Sequence, residues 1–432
     1  MELTDHIKQE TGKLPVDGAP FFKDRQAKAR DTWQSLQPAF IERTQYQDWP
    51  LYQETIDAGV SSQDLVDTFQ DHIVSSNQDQ LAAQVILAGN QTQVTYKETQ
   101  AGQSGLIVMD LFEAMETYPD LVEEHLFQVL DSQEDKVAAY HTAHLNGGIF
   151  VYVPKDMELD LSIEGILLQD SRQQQAFNKH ILLVADTNSR VQYIERLGTV
   201  GHEANAATVY VEVITKAGAQ VKYVALDGLA QETTAMVKRY GQTGVDSQID
   251  WVVSAMNQGD SILDIDTNLM GQGSTSDISI TAIANGDQEQ IVNAHALNVG
   301  NHTVGHIFQH GVTLDQARLT FNGIGRIVKN AKNADAQQES RIMMLSPQTR
   351  GDVNPMLYID EFEVTAGHAG SIGQLDPEQL YYLMSRGLSQ EEAEYLLIRG
   401  FLGQVIMTIP SKEIRSQMVA TIDEKLSGYR NQ

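Results

Sequence analysis

From Ile149 to Leu297 the chain runs through short β-rich segments with turn signals every ten residues or so and no helical segment between them. That succession limits the fold more than any other feature. Ile149–Val153, Ile181–Ala185, Val191–Glu195, Ala207–Ile214 and Val221–Leu226 are followed by Thr234–Tyr240, Ile249–Ser254, Ile262–Asn268, Asp277–Ala284 and Ile291–Leu297. Lys216-Ala217-Gly218, Gly271 to Ser274 and Asn285-Gly286-Asp287 punctuate them as turns. Val209, Val211 and Val213 share one face of their segment, and in Asp277 to Ile283 polar and apolar residues alternate, so one face is buried and the other wet. Periodicity alone leaves a sandwich, a barrel and a solenoid open. Ten such strands, with a further strand-like stretch at Met356–Val364, exceed one ordinary sandwich and favour stacked coils. A solenoid leaves its last coil with unpaired backbone groups, which need a cap or another chain.

On either side the texture is different. Residues 1–140 read as a mainly helical domain. In it, Phe21 to Leu36 is a charged helix started by Pro20, with Phe22, Ala27, Ala29 and Trp33 as its apolar stripe. Asp110–Met115 and Leu121–Leu130 are further helical pieces, and Gly89-Asn90 reads as the turn of a hairpin within Leu81–Tyr96. At the other end, residues 374–432 read as a helical domain. Asp376 caps a helix with Pro377 at its first position, and Gly387 ends it. Ser389 with Glu392 forms a second capping box, and a third helix after Pro410-Ser411 spaces Ile414, Met418, Ile422 and Leu426 four apart. That stripe needs a partner surface, either the β-domain or another protein. Residues 141–373 are left for the β core.

Composition bounds the chemistry. The formal charge of -28, from 58 acids against 30 bases in 432 residues, repels phosphates and argues against nucleic acid and anionic membranes as partners. No apolar run approaches the roughly 20 residues needed to span a bilayer, and Met1 to His6 lacks a signal-peptide pattern, so a cytoplasmic location is expected. Having no cysteine removes disulfides, thiolate nucleophiles and thiolate ligands for an iron–sulfur cluster. Phosphate-loop, nucleophile-elbow and His-Glu-x-x-His signatures are missing too, and no enzymatic activity is expected.

Met356–Val364 alternates like a strand that places Glu361 and Glu363 on one face. Thr365 to Gly370 then reads as a small-residue loop carrying His368. Small neighbours leave that imidazole accessible, with Asp360, Glu361 and Glu363 just upstream, chemistry suited to ferrous iron. His302, His306 and His310, four apart, fall on one face of a strand. Residues four apart there lie about 13 Å apart, too far for one metal, so they read as a polar ladder.

Phe321 to Ile327 (FNGIGRI), the run from Gln338 to Phe401 (QESRIMMLSPQTRGDVNPMLYIDEFEVTAGHAGSIGQLDPEQLYYLMSRGLSQEEAEYLLIRGF) and, more loosely, Gly147 to Leu159 (GGIFVYVPKDMEL) resemble the SufB/SufD family. Its members are scaffold subunits of the Suf iron–sulfur cluster assembly system. The match is more like SufD than SufB, because SufB-like chains carry cluster-related cysteine. The resemblance implies a mainly β fold: a right-handed parallel β-helix core flanked by N-terminal and C-terminal helical domains. It also implies a SufB-like subunit and a SufC-like ATPase as partners, a homodimer when the chain is isolated, and no cofactor held stably by this chain alone. Iron or an iron–sulfur cluster would sit at the interface with the partner subunit. His368 matches the histidine of the SufD signature, where Ala366-Gly367 stand in place of the Cys-Ser that often precedes it. The helical region carrying Tyr381, Tyr382, Arg386 and Glu392 matches the family's docking surface for the ATPase. Set against this scaffold reading is a β-solenoid carbohydrate-active enzyme, a lyase or hydrolase, whose paired acids would cleave glycosides or bind calcium.

Overall fold

A computed structural model describes residues 7–11, 18–42, 44–53, 81–89, 91–97, 105–173, 176–407 and 412–430. Its centre is a parallel β-solenoid made of two facing sheets. From Gly148 the chain alternates between them. The strands β5 (Gly148–Val153), β7 (Phe177–Ala185), β9 (Asn205–Thr215), β11 (Thr233–Thr243), β13 (Ser261–Leu269), β15 (Glu289–Asn298), β17 (Arg318–Ile327) and β19 (Arg350–Ile359) form one sheet. The strands β6 (Ser162–Asp170), β8 (Arg190–Val200), β10 (Gln220–Gly228), β12 (Gln248–Ala255), β14 (Thr275–Ala284), β16 (Val304–Thr313), β18 (Asp335–Met344) and β20 (Thr365–Gln374) form the other. Every segment read as a strand between Ile149 and Leu297 lies on one of these.

The sheets start before residue 141. A hairpin of β2 (Leu81–Ala88) and β3 (Gln91–Lys97) joins β6 through β2, with β1 (Ile7–Thr11) outside it. β4 (Ile107–Asp110) pairs antiparallel with β5. Gly89 has the left-handed backbone a tight turn needs, while Asn90 lies outside the described residues.

The repeat is set at a stacked corner. Asn188, Gly218, Asp246, Gly273, His302 and Asn333 all have positive φ. Each N–H binds a carbonyl of the next coil: Asn188 to Ala217, Gly218 to Val245, Asp246 to Gln272, Gly273 to Asn301 and His302 to Lys332. Asn, Asp, Gly and His are the residues that tolerate this conformation best. His302 is therefore a corner residue and stands off the strand that carries His306 and His310, which corrects the three-histidine ladder. The corner's need for a left-handed residue outweighed the spacing of four.

The lumen holds a continuous apolar core that runs from Ala83 to Ile342. Tyr193, Tyr223 and Trp251 are paired in register on β8, β10 and β12, their rings tilted against one another with centroids 5.1 and 5.0 Å apart. Among these apolar layers sits a charged one. Arg239 on β11 donates to Glu195 (3.0 Å) and to Asp227 (3.1 Å), and Tyr223 adds a hydrogen bond to Glu195 (2.6 Å). All four side chains are buried.

Helices cover the outer faces. α1 (Pro20–Thr32), α2 (Leu111–Thr117) and α3 (Pro119–His125) belong to the N-terminal layer. α4 (Lys136–His144), which carried no signal read in the sequence, lies against the sheet that contains β7 and β9. There His141 meets Thr208 (2.8 Å) and His180 (3.4 Å), while His180 meets Glu212 (3.1 Å). Burial holds the His141 imidazole well below its usual range. On α1 the buried stripe is Phe22, Gln26 and Ala29, and Ala27 is exposed. Gln26 takes the buried place because its amide reaches the Leu145 carbonyl (3.4 Å).

The C-terminal helices are α5 (Pro377–Ser385), α6 (Gln390–Ile406) and α7 (Lys412–Arg430). The Pro410-Ser411 start read for α7 lies outside the described residues. Its stripe finds its partner within the chain. Met418, Ile422 and Leu426 pack with Leu402 and Ile398 of α6 on Ile194, Val224 and Val252 of the β-domain. Lys425 drives into the same interface and donates to the carbonyls of Asn257 and Ile283, with burial pushing its ammonium down to about 7. Because that folded-state value lies below the unfolded one, the folded chain binds fewer protons between about pH 7 and 10, and stability rises with pH across that window. Hydrogen exchange of α7 is expected to slow from pH 7 to pH 10 once intrinsic rates are removed. Lys425→Met is expected to abolish that trend and to loosen α7 by about 1–3 kcal/mol, because buried carbonyls lose their donor.

Candidate functional site at the open end of the solenoid

The solenoid ends at β19 and β20. Among the described residues β19 pairs with β17 alone and β20 with β18 alone, so both present one free backbone edge. The rim is apolar as well. Phe362 is 99% exposed in the turn after β19, Tyr358 and Ile359 are exposed at the end of that strand, and Ile372 is exposed further along β20. An exposed, unpaired strand edge with large apolar side chains is a template for pairing with another chain.

The site residues fall differently from the sequence reading. The strand read as Met356–Val364 stops at Ile359, and Asp360–Val364 is the corner turn. Glu361 and Glu363 are therefore turn residues. Backbone N–H groups of Phe362 and Asn330 hold the Glu361 carboxyl below its usual range, and Glu363 pairs with Lys332 at 3.3 Å. The loop read for Thr365 to Gly370 is instead the body of β20. His368 is an exposed residue of that strand, in register with Gln338 of β18. No β-branched pattern announces β20. It forms because β18 offers a complete row of hydrogen-bonding partners from Asp335 to Met344.

The acids serve the corner, while β20 carries His368 along the edge. Among the described residues, no group of three or more His, Asp or Glu side chains is arranged to hold a metal ion. One imidazole and no thiolate is a fraction of the four ligands that an iron–sulfur cluster takes.

The two histidines that remain on β16, His306 and His310, have partners within the chain. His306 lies between Asp277 (3.3 Å) and Asp335 (3.5 Å), the cross-strand neighbours available to a ladder residue. The hydrogen bond that the ring donates to Asp277 is the main cause that raises its pKa. His310 stacks on Phe401 of α6 and meets Glu339 at 3.1 Å. Burial would push the Glu339 carboxyl up, but hydrogen bonds from His310 and Arg341 outweigh it and hold it low.

Next to the open end, α5 buries none of its residues. Asp376 accepts the Glu378 N–H at 2.9 Å, Gly387 has φ +99°, and Glu392 closes the capping box with Ser389. Tyr381 and Tyr382 are exposed, and Arg386 lies over the Tyr382 ring at 5.1 Å. All four residues read for docking, Tyr381, Tyr382, Arg386 and Glu392, are exposed. The Glu392 carboxylate accepts the Ser389 N–H and holds the helix start.

Sequence reasoning missed Gln338 and gave no mechanical role to Gly323 and Gly325 of FNGIGRI. The signal was available: two glycines alternate on a strand, where bare positions mark the close approach of another group. A Cβ on Gly323 or Gly325 would stand 2.7 Å from the Gln338 carboxamide.

Comparison with known proteins agrees with this architecture. Residues 167–401 match the family described as "SUF system FeS cluster assembly, SufBD core domain", and residues 40–164 match "SufBD protein N-terminal region". The chain is 41% identical over 325 residues to the iron-sulfur cluster assembly protein SufD of Bacillus subtilis, covering 74% of each. It is 25% identical over 336 residues to an iron-sulfur cluster assembly SufBD family protein of Staphylococcus epidermidis, covering 76% of this chain and 72% of that one. With a β-solenoid between helical layers, an open end carrying the signature histidine, and both family regions matched in order, the chain belongs to the SufB/SufD family and within it is most like SufD.

Proposed function

We propose that this chain is a non-enzymatic scaffold subunit that pairs through its open end with a SufB-like subunit and, through its C-terminal helices, with a SufC-like ATPase in the cytoplasm. The observation that carries this reading is the end coil itself. Among the described residues it has two unpaired strand edges, an apolar rim and His368 on the outermost strand, in a chain without a single thiol. Such an edge can be completed by a second β-solenoid, which would add its own ligands to the imidazole. A second copy of this chain would satisfy the same edge when no other subunit is present. Iron and sulfide are then cargo held between chains, and His368 is this chain's contribution. The exposed Tyr381, Tyr382 and Arg386 of the α5 surface suit the ATPase contact. Among the described residues no helix is long and apolar enough to cross a membrane, and the chain is strongly acidic, which fits protein partners better than lipid or nucleic acid. The glycoside-cleaving alternative has no comparable observation behind it.

The test is purification from cell lysate under anaerobic conditions, followed by iron and sulfide analysis of the complex and of this chain alone. A complex with a second β-solenoid subunit and an ATPase, holding iron and sulfide that the lone chain lacks, is the expected result. A lone chain that carries a stoichiometric cluster, or one recovered without either partner, would overturn the reading.

A further inference from the structure

At the open end one buried polar group is left without a partner. Gln338 is 4% exposed and alternates along β18 with Ser340 and Ile342, the latter part of the lumen core, so its side chain shares the lumen face. Its Nε2 donates to the Met356 carbonyl at 2.8 Å, which settles which end of the carboxamide is oxygen. Among the described residues that oxygen has no hydrogen-bond partner. The bare positions Gly323 and Gly325 on β17 are what let the carboxamide lie there.

Neighbouring donors are already committed. The Ser340 hydroxyl donates to Gln309 Oε1 at 2.8 Å, and the Gln309 amide donates to the Val292 carbonyl at 3.3 Å. An unmatched buried carbonyl costs about 1–3 kcal/mol, and such groups in a folded protein call for a reason. In the same row, the next residue outward is His368, paired in register with Gln338. Adjacent strands lie about 4.8 Å apart, so side chains of one row stand side by side.

We propose that Gln338 is a positioning residue for His368. Its carboxamide oxygen accepts the N–H of the nearer ring nitrogen, so that the other nitrogen turns its lone pair to the open edge. This rests on the reading of His368 as the ligand that this chain lends to shared cargo. A histidine that binds a metal commonly gives its second N–H to an acceptor, which fixes the tautomer and the ring orientation. A neutral amide does this without adding charge, and the glycines of β17 keep the amide in place.

The test is nuclear magnetic resonance of the full chain with 15N-labelled histidine, the His368 ring signals being identified by their loss in His368→Ala. In the unsubstituted chain one tautomer is expected to dominate. Gln338→Met, similar in length but without an acceptor, is expected to release the ring to a mixture. Gln338→Glu keeps an acceptor and is expected to retain the single tautomer. A ring that already interconverts in the unsubstituted chain overturns the proposal by itself, whether or not Gln338→Met folds. Unchanged tautomer populations in Gln338→Met overturn it too. The measurement needs no iron, so it can fail while His368→Ala still stops cluster supply, and hold while it does not.

Discussion

Replacing Arg239 with methionine is expected to destabilise the chain by about 3–5 kcal/mol, the largest effect of any single substitution considered for its stability. The guanidinium is buried in the lumen and is the shared counter-ion of Glu195 and Asp227, both also buried. Removing it leaves two carboxylates facing each other without compensation, and mutual repulsion adds to their desolvation. Even in the intact chain two acids share one cation. Burial pushes the Asp227 carboxyl up, Arg239 pulls it down and Glu195 pushes it up again, which leaves it raised to about 6. A folded-state value above the unfolded one means the native state holds the extra proton between about pH 4 and 6, so stability falls as pH rises through that window. Without Arg239 the downward pull is gone, the window extends to higher pH, and the variant is expected to recover part of its deficit in acid. Urea unfolding at pH 5 and pH 8 checks both statements. A variant whose midpoint matches the parent at pH 8 would show that the triad contributes nothing to stability.

The largest functional effect is expected from His368→Ala. The residue is exposed on an edge strand, so its loss is expected to change the stability of the isolated chain by no more than about 0.5 kcal/mol. Cluster yield of the assembled complex is expected to fall at least about tenfold, the lower end of what loss of a group ordering a metal site produces. The two readouts separate a ligand from a packing residue. Reconstitution with iron and sulfide, measured by absorbance and by transfer to an apo-acceptor, gives the yield, and gel filtration confirms that the subunits still associate. Full yield in an intact complex would remove His368 from the chemistry.

How much of this could be read before the fold was known depended on whether the signal was local. The strands from Ile149 to Leu297 alternate because each has a lumen side and an outer side, a local pattern of period two. Their corners were marked by Gly218, Gly273 and similar turn residues. The caps of α5 and α6 likewise lie within a few residues of the groups they satisfy. β20 was misread because its residues carry almost no strand preference and its partner row is β18, a full coil away. His302 was misplaced because its conformation is set by a stack of corners, each in a different coil.

Sequence by itself determined that the chain is a run of stacked strands between helical layers, thiol-free and acidic, with one accessible histidine in a recognisable signature. Those properties depend on composition, on near-neighbour periodicity and on motif. Only the tertiary structure decided that His368 lies on the outermost strand while Glu361 and Glu363 serve a corner, and that Gln338 waits one coil beneath it with an unmatched oxygen. It alone also put Arg239 between two acids and Lys425 under the β-domain. The physical reason is common to all of these: each contact joins residues from different coils or layers, and the register that aligns coils is a property of the whole stack.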